Sequence, residues 1–125
     1  MGVLEIGQAM VKAVNEGRET EWQFVLNNYA DGIVSIEGAD NGDIPARLEG
    51  MDAIKGKHEW WFGNNEVHST LAEGPFIGLR DNQFMLRFMM DITPTGGERM
   101  QMIETAMYTV KDDKIVQEEY FYLMG

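Results

Sequence analysis

Apolar residues recur at helical spacing in three stretches of the chain. Leu4–Asn15 carries an apolar residue every three or four positions and ends before a glycine, and Arg18–Tyr29 and Gly50–Phe62 repeat this spacing. Such spacing places apolar side chains along one face of a helix, and that face packs against a core. The sequence therefore predicts three helices.

Alternating or continuous apolar runs predict strands in the rest of the chain. A short strand at Ile33–Glu37 is followed by the loop Gly38–Pro45, which is rich in turn-forming residues. Further strands are predicted at Glu66–Leu71, Phe76–Leu79, Gln83–Thr93, Arg99–Val110 and Lys114–Leu123. Three helices and an antiparallel meander predict one α+β domain over residues 1–125, with the helices packed on one face of a strongly curved, mostly antiparallel sheet.

Turn residues divide these strands. Glu73-Gly74-Pro75 is expected to separate the strands Glu66–Leu71 and Phe76–Leu79. Lys111-Asp112-Asp113 is expected to close a long hairpin between the last two strands.

The first strand of this hairpin carries a candidate acid among apolar residues. Because side chains alternate along a strand, Glu104 shares a face with Met102, Ala106 and Tyr108. Glu104 is either a buried acid whose raised pKa lets it donate or accept a proton, or an acid paired with a neighbour for structural reasons. The sequence leaves both interpretations open.

In the second strand of the hairpin, Glu118, Tyr120 and Tyr122 fall on one face and Ile115 on the other. The two tyrosines either donate hydrogen bonds to a substrate carbonyl or pack as aromatic rings.

Two histidines are candidates for proton transfer. His58 and Trp61 follow Ile54 at helical spacing and are expected to point inward. His58 is either a hydrogen-bonded core residue or a proton shuttle, since the ordinary histidine pKa is about 6.5. His68 is expected to share a strand face with Thr70.

The strand Gln83–Thr93 is apolar on both faces. Arg87 and Asp91 share one face with Met85 and Met89, while Phe84 and every second residue after it form the other. One face must meet the helices, and a second subunit covering the other face explains its apolar character. The sequence therefore predicts a homodimer. Asp91 and Arg87 form either an interface ion pair or a cavity pair, and we favour the interface.

Composition narrows the classes of partner. The 125 residues carry a formal net charge of −11, which argues against nucleic acid and anionic membranes as partners. No apolar run approaches the ~20 residues of a membrane span, so a cytoplasmic protein is expected. The chain has no cysteine and two isolated histidines, so neither a metal nor a cofactor is expected. Ten methionines suit an adaptable cavity for a small hydrophobic ligand.

The order of elements, together with four short motifs, resembles the NTF2-like superfamily over essentially the whole chain. Within it the sequence is most similar to the SnoaL-like group, which includes polyketide cyclases, and more distantly to ketosteroid isomerase. The motifs are Asn15-Glu16-Gly17, Ala30-Asp31-Gly32, Gly50-Met51-Asp52-Ala53-Ile54 and Lys114-Ile115-Val116. The resemblance implies a cone-shaped cavity between the helices and the sheet.

The resemblance also implies roles for individual residues. Glu37 matches the general base of the isomerase, and Glu104 in the pair Ile103-Glu104 matches its protonated oxyanion-binding acid. Met10 occupies the position of the expected tyrosine, which makes steroid-type isomerisation improbable, and His58 occupies the position that supports this tyrosine. The cyclase group uses an aspartate and a histidine, for which His68, Asp91 and Glu104 are the candidates.

Three functions fit these observations. The first is a cofactor-independent isomerase, cyclase or dehydratase, with Glu37 or His58 as base and Glu104 with Tyr120 or Tyr122 stabilising an enolate. The second is a non-catalytic dimeric module that binds a hydrophobic ligand. The third is a scaffold that docks another protein on its sheet. Besides the two tyrosines, the predicted substrate-binding set contains Met10, Trp61, Met102, Tyr108, Glu118, His68 and Asp91.

Overall fold

The computed structural model describes residues 2–40, 42, 44–78 and 80–122. These form three helices and six strands: α1 (Val3–Glu16), α2 (Arg18–Asn28), β1 (Tyr29–Ile36), β2 (Arg47–Glu49), α3 (Met51–Asn64), β3 (Asn65–Ile77), β4 (Gln83–Pro94), β5 (Met100–Lys111) and β6 (Lys114–Phe121). Leu79 and Leu123, predicted at strand ends, and Asn41 and Asp43 of the predicted loop lie outside the described residues.

All three predicted helices are present. On α1 the inward stripe includes Ile6, Met10 and Val14, each at most 3% exposed. Gly17 separates α1 from α2 with a φ of 134°, a backbone conformation that disfavours side chains. Gly7 lets α1 approach β3 closely, because a Cβ at this position would lie 2.7 Å from the Pro75 Cβ.

The six strands form one sheet in the order β2-β1-β6-β5-β4-β3. Only β1 and β6 pair in parallel, and the other neighbours are antiparallel. The sheet curves around the helices, and the core lies between them. The predicted α+β architecture is therefore confirmed, and the inner face of β4, unassigned from sequence, is the one formed by Phe84, Leu86, Phe88, Met90 and Ile92.

One strand prediction is wrong, and one short strand was not predicted. β3 runs through the predicted break at Glu73-Gly74-Pro75, because an irregular register there absorbs these residues without ending the pairing with β4. The short strand β2, which pairs with the end of β1, lies where the sequence shows no alternating run. The hairpin turn is confirmed, with φ of 52° at Asp112 and 61° at Asp113, as two-residue hairpin turns require.

A bulge in β6 changes which side chains face inward. Gln117 pairs with Thr109 and Ile115 with Val110, so Val116 is an extra residue on its strand. Ile115 is fully buried and Glu118 is 3% exposed, although three positions separate them. The prediction that Ile115 faces away from Glu118 is therefore wrong.

No helix in the described ranges is long and apolar enough to cross a membrane.

Candidate functional site

A cavity of about 420 Å³ lies between the three helices and the inner face of the sheet. Its walls are mostly aromatic and methionine side chains, contributed by α1, α2, α3 and the strands β4 to β6. All three tryptophans of the chain line it: Trp22, Trp60 and Trp61. The cavity is thus an apolar container with a small number of polar groups in its wall, as ligand sites usually are.

Lys57 on α3 connects the charged groups of the wall. Its Nζ lies 2.5 Å from Glu37 Oε1, donates to Ser35 Oγ at 2.8 Å and lies 3.8 Å from Glu118 Oε2. The same ammonium lies 4.4 Å from the ring centre of Tyr120. The Lys57 side chain is only 18% exposed, and these contacts surround its ammonium group. They fix the carboxylates of Glu37 and Glu118 relative to it.

Glu118 is a buried charge with a full set of partners. Its Oε2 accepts a hydrogen bond from Ser35 Oγ at 2.7 Å, and its Oε1 accepts one from the Tyr29 hydroxyl. A buried carboxylate is stable only when it is paired and hydrogen-bonded, and Lys57 completes the pairing. Tyr29 and Ser35 at the start and end of β1 thus position the acid on β6.

Glu104 differs from Glu118, because it makes no side-chain hydrogen bond or ion pair within the described part of the chain. Burial raises the pKa of Glu104 to about 8, the charge of Glu37 raises it further, and Lys57 opposes the shift. At neutral pH this carboxyl is therefore mostly protonated and can donate a hydrogen bond.

Glu21 on α2 also lines the cavity. Burial, with a contribution from the charge of Glu118, raises the pKa of Glu21 to about 7, against the opposing effect of Arg18. The wall therefore contains two acids that hold protons near neutral pH and two acids paired with Lys57.

The Tyr108 hydroxyl is buried and makes no well-aligned hydrogen bond among the described residues, although the Tyr120 hydroxyl is close enough to influence it. Tyr108 is fully buried on β5 and also lines the cavity. An unpaired buried hydroxyl costs free energy, so it is a group that a ligand oxygen or nitrogen can satisfy.

His58 lies in an aromatic stack. Its ring centre is 4.4 Å from that of Trp22 and 4.8 Å from that of Phe62, and the Arg18 guanidinium lies 3.7 Å above the Phe62 ring. Burial, followed by the charge of Arg18, lowers the pKa of His58, so the ring is neutral at pH 7.

Ten of the twelve residues predicted from sequence line this one cavity, while their roles stay predictions. They are Met10, Glu37, His58, Trp61, Met102, Glu104, Tyr108, Glu118, Tyr120 and Tyr122.

His68 and Asp91 do not line the cavity, contrary to their place in the predicted substrate-binding set, and Asp91 has the outward position that we favoured for it. Asp91 lies on the outer face of β4, where Arg99 binds it through contacts of 2.9 and 2.7 Å. His68 Nε2 lies 2.8 Å from Thr93 Oγ1 on the same outer face, which it shares with Glu66, and the register shift between Val67 and Ser69 turns Thr70 inward. The shift also separates His68 from Thr70, which does line the cavity.

Sequence reasoning missed Lys57, Ser35, Tyr29 and Glu21. Lys57 follows the buried Ile54 by three positions, so helical spacing could have found it. Ser35 lies two residues after the buried Ile33 on the predicted strand. Tyr29 and Glu21 gave weaker signals, since α2 combines polar and apolar residues around its circumference.

Comparisons with known proteins agree with this architecture. A SnoaL-like domain profile matches residues 1–122. A structure from Mesorhizobium loti is 34% identical to this chain, with a TM-score of 0.86 over 98% of this chain and 100% of that one. It is described as a candidate SnoaL-like polyketide cyclase and also as a carbohydrate phosphatase.

Two more distant structures show the same fold. A candidate polyketide cyclase from Pseudomonas putida is 12% identical, with a TM-score of 0.70 over 99% of this chain and 93% of that one. An NTF2-like protein from Anabaena variabilis is 12% identical, with a TM-score of 0.73 over 98% and 90%. No curated protein matches the chain.

Proposed function

The chain belongs to the SnoaL-like domain family, and from that premise we propose that it is an isomerase, cyclase or dehydratase acting on a hydrophobic carbonyl compound. The observation that carries the proposal is the presence of two different acids in one cavity. Glu104 holds its proton at neutral pH, whereas Glu37 is ion-paired with Lys57. A proton donor and a proton acceptor in one site are what acid–base chemistry at a carbonyl requires.

The reaction begins with proton transfer to Glu37. Its carboxylate removes a proton from the carbon next to the substrate carbonyl, and the electron pair of that C–H bond moves to form an enolate. The enolate oxygen accepts hydrogen bonds from the Glu104 carboxyl and from the Tyr108 hydroxyl, which makes no well-aligned hydrogen bond among the described residues. Glu37, now protonated, is a neutral acid that carries the proton.

The fate of the enolate determines the reaction class. Return of the proton from Glu37 to a different carbon gives an isomer. Attack of the enolate carbon on a second carbonyl of the same molecule closes a ring, and the new alkoxide takes the proton. Loss of a β-hydroxyl, protonated as it leaves, gives a dehydrated product. We assign the base to Glu37 rather than His58, because Trp22 and Phe62 pack against the His58 ring.

Deuterium exchange tests this proposal without a known product. The protein is incubated in heavy water with a panel of ring ketones, and exchange next to the carbonyl is followed by NMR. We expect Glu37→Gln to abolish exchange and Glu104→Ala to slow it about 100-fold, as for the loss of one oxyanion donor. Glu66→Gln, on the outer face, is the matched control. Equal exchange in Glu37→Gln and wild type would exclude this mechanism.

A second candidate is a non-catalytic module that binds a hydrophobic ligand. Met10, Met90, Met100 and Met102 in the cavity wall support it, since methionines adapt to ligands of varied shape. Ligand binding without exchange of any ketone, together with a Glu104 carboxyl that titrates near 4.5, would favour this candidate.

We also propose that the protein is a homodimer through the outer face of the sheet. Leu71, Ile103 and Phe121 are each 46–51% exposed on this face, and a second copy would cover them. Analytical ultracentrifugation should show a dimer for the wild type and a monomer for Ile103→Asp. A monomeric wild type would exclude the proposal and leave the outer face available to another protein, as in the scaffold hypothesis.

A further inference from the structure

We propose that the cavity selects carbonyl compounds that carry a positively charged nitrogen and rejects anionic ones. The inference rests on the proposed function and adds a charge requirement to its substrate class. Among the described residues, four carboxyl groups and one lysine, Lys57, line the cavity. The carboxyl groups belong to Glu21, Glu37, Glu104 and Glu118.

The positive groups near the cavity are already engaged. Lys57 is held by Glu37, Ser35 and Glu118 and by the ring of Tyr120. Arg18 lies over Phe62. An anionic ligand must therefore either compete with a buried carboxylate for Lys57 or remain unpaired, and both options cost free energy.

The negative and polar groups, in contrast, have unused capacity. The carboxyls of Glu21 and Glu104 make no side-chain hydrogen bond or ion pair within the described residues, and the fully buried Tyr108 hydroxyl makes no well-aligned hydrogen bond among them. A carbonyl oxygen satisfies Tyr108, and a positively charged nitrogen gives the carboxyl of Glu21 a counterion when it is ionised, while Glu104 keeps its proton at neutral pH.

The apolar wall suits the same ligand. The faces of tryptophan rings attract cations, and Trp22, Trp60 and Trp61 all line the cavity. The net charge of −11 also attracts cations to the protein from a distance. Proteins bind ammonium groups on apolar molecules in sites that are lined by aromatic rings and carboxylates.

The proposed chemistry gives a further reason. Enolate formation moves the negative charge from Glu37 onto the substrate oxygen, where the carboxylate of Glu118 in the same cavity repels it. A positively charged nitrogen on the substrate offsets this repulsion, as a fixed cation near a developing oxyanion does. The same group thus improves binding and stabilises the transition state.

Three ring compounds of similar size test the inference. They are naphthylmethyl-trimethylammonium, its neutral isostere with carbon in place of the nitrogen, and naphthoate, none of which changes charge between pH 6.5 and pH 8.5. Because every tryptophan lines the cavity, the indole N–H signals in NMR report binding there directly. We expect the cation to bind at least about tenfold more tightly than the isostere, and naphthoate to bind most weakly.

The pH dependence sharpens this test. As pH rises from 6.5 to 8.5, Glu21 and Glu104 lose protons, so binding of the cation should strengthen and binding of the isostere should not change. The double variant Glu21→Gln with Glu104→Gln should lose most of the preference. Glu98→Gln in an exposed loop, which changes the net charge without touching the cavity, should retain it.

The inference is overturned if the isostere or naphthoate binds as tightly as the cation, or if none of the three binds. Its failure is distinguishable from failure of the proposed function. Charge selection is measured by binding of inert probes, whereas the reaction is measured by deuterium exchange of ketones.

Discussion

Glu104 and Asp91 lie on neighbouring strands of one sheet and have opposite chemistry. Glu104 faces the cavity without an ion-pair partner, and its pKa rises to about 8 mainly because it is buried. Asp91 faces outward, where its hydrogen bonds with Arg99 lower its pKa. The difference shows that the face of the sheet, rather than residue type or neighbouring sequence, decides which acid can hold a proton near neutral pH.

The cavity wall itself contains both kinds of acid. Glu37 and Glu118 are paired with Lys57, whereas Glu104 and Glu21 are not. Removing Lys57 should therefore leave Glu37 and Glu118 without an ion-pair partner, as Glu104 is now.

The largest expected effect comes from Lys57→Met. The change leaves Glu37 and Glu118 buried without their cation, and breaking a buried ion pair typically costs about 3–5 kcal/mol of unfolding free energy. Urea unfolding measures it, and Lys55→Met on the exposed side of α3 is the control. An equal loss in both variants would contradict the central position of Lys57.

The second effect concerns Glu104 itself. Its folded pKa of about 8 lies above the ordinary 4.5, so its contribution to stability is present at low pH and is lost as pH rises towards 8. Glu104→Gln removes this dependence. Relative to wild type, the variant should gain roughly 3 kcal/mol between pH 5 and pH 8. A carboxyl-carbon NMR titration gives the pKa directly, and a value near the ordinary one would remove the distinction from Asp91.

Two tyrosines provide a smaller, matched comparison. The Tyr29 hydroxyl donates to Glu118, whereas the Tyr108 hydroxyl makes no well-aligned hydrogen bond among the described residues. Tyr29→Phe should cost about 1.5–3 kcal/mol, the range for a hydrogen bond to a charged group, while Tyr108→Phe should be neutral or stabilising. Thermal unfolding distinguishes them. A large loss from Tyr108→Phe would mean that this hydroxyl has a partner in solution, and it would weaken its assignment as substrate donor.

The smallest effect is expected for Asp91→Asn. Asp91 and Arg99 form an exposed pair, and such pairs contribute little. The lowered pKa of Asp91 means that the pair stabilises the fold above the ordinary aspartate pKa and that this contribution disappears as pH falls. The variant should therefore unfold like wild type in high salt. A clear loss that persists in high salt would indicate that the proposed dimer interface uses this pair.

Sequence patterns predicted most of the fold because helical spacing and strand alternation follow from burial. The sequence predicted that Glu104 and Tyr108 share one face of β5, because inward and outward side chains alternate regularly between them. When both faces of a strand are apolar, alternation does not show which of them points inward. For this reason both the cavity and the interface remained open as positions for Asp91. Bulges are the second limit, because one extra residue at His68 or Val116 reverses the expected face of its neighbours.

The cavity network was less predictable. Lys57, Glu37 and Glu118 come from α3, from the residue after β1 and from β6, so their proximity depends on the parallel pairing of β1 with β6. No local pattern shows that pairing. The pKa of Glu104 is likewise a property of the assembled cavity.

The extra residue in β6 divides its hairpin into two parts that evolution can change independently. Near the turn, Ile115 and Val110 close the apolar core, while further along Glu118 and Tyr120 supply the polar wall of the cavity. An insertion or deletion between the two parts would exchange inward and outward side chains in the part that lines the cavity without disturbing the turn. One residue of backbone length therefore offers a short mutational route by which a family with a common scaffold could acquire a new reaction.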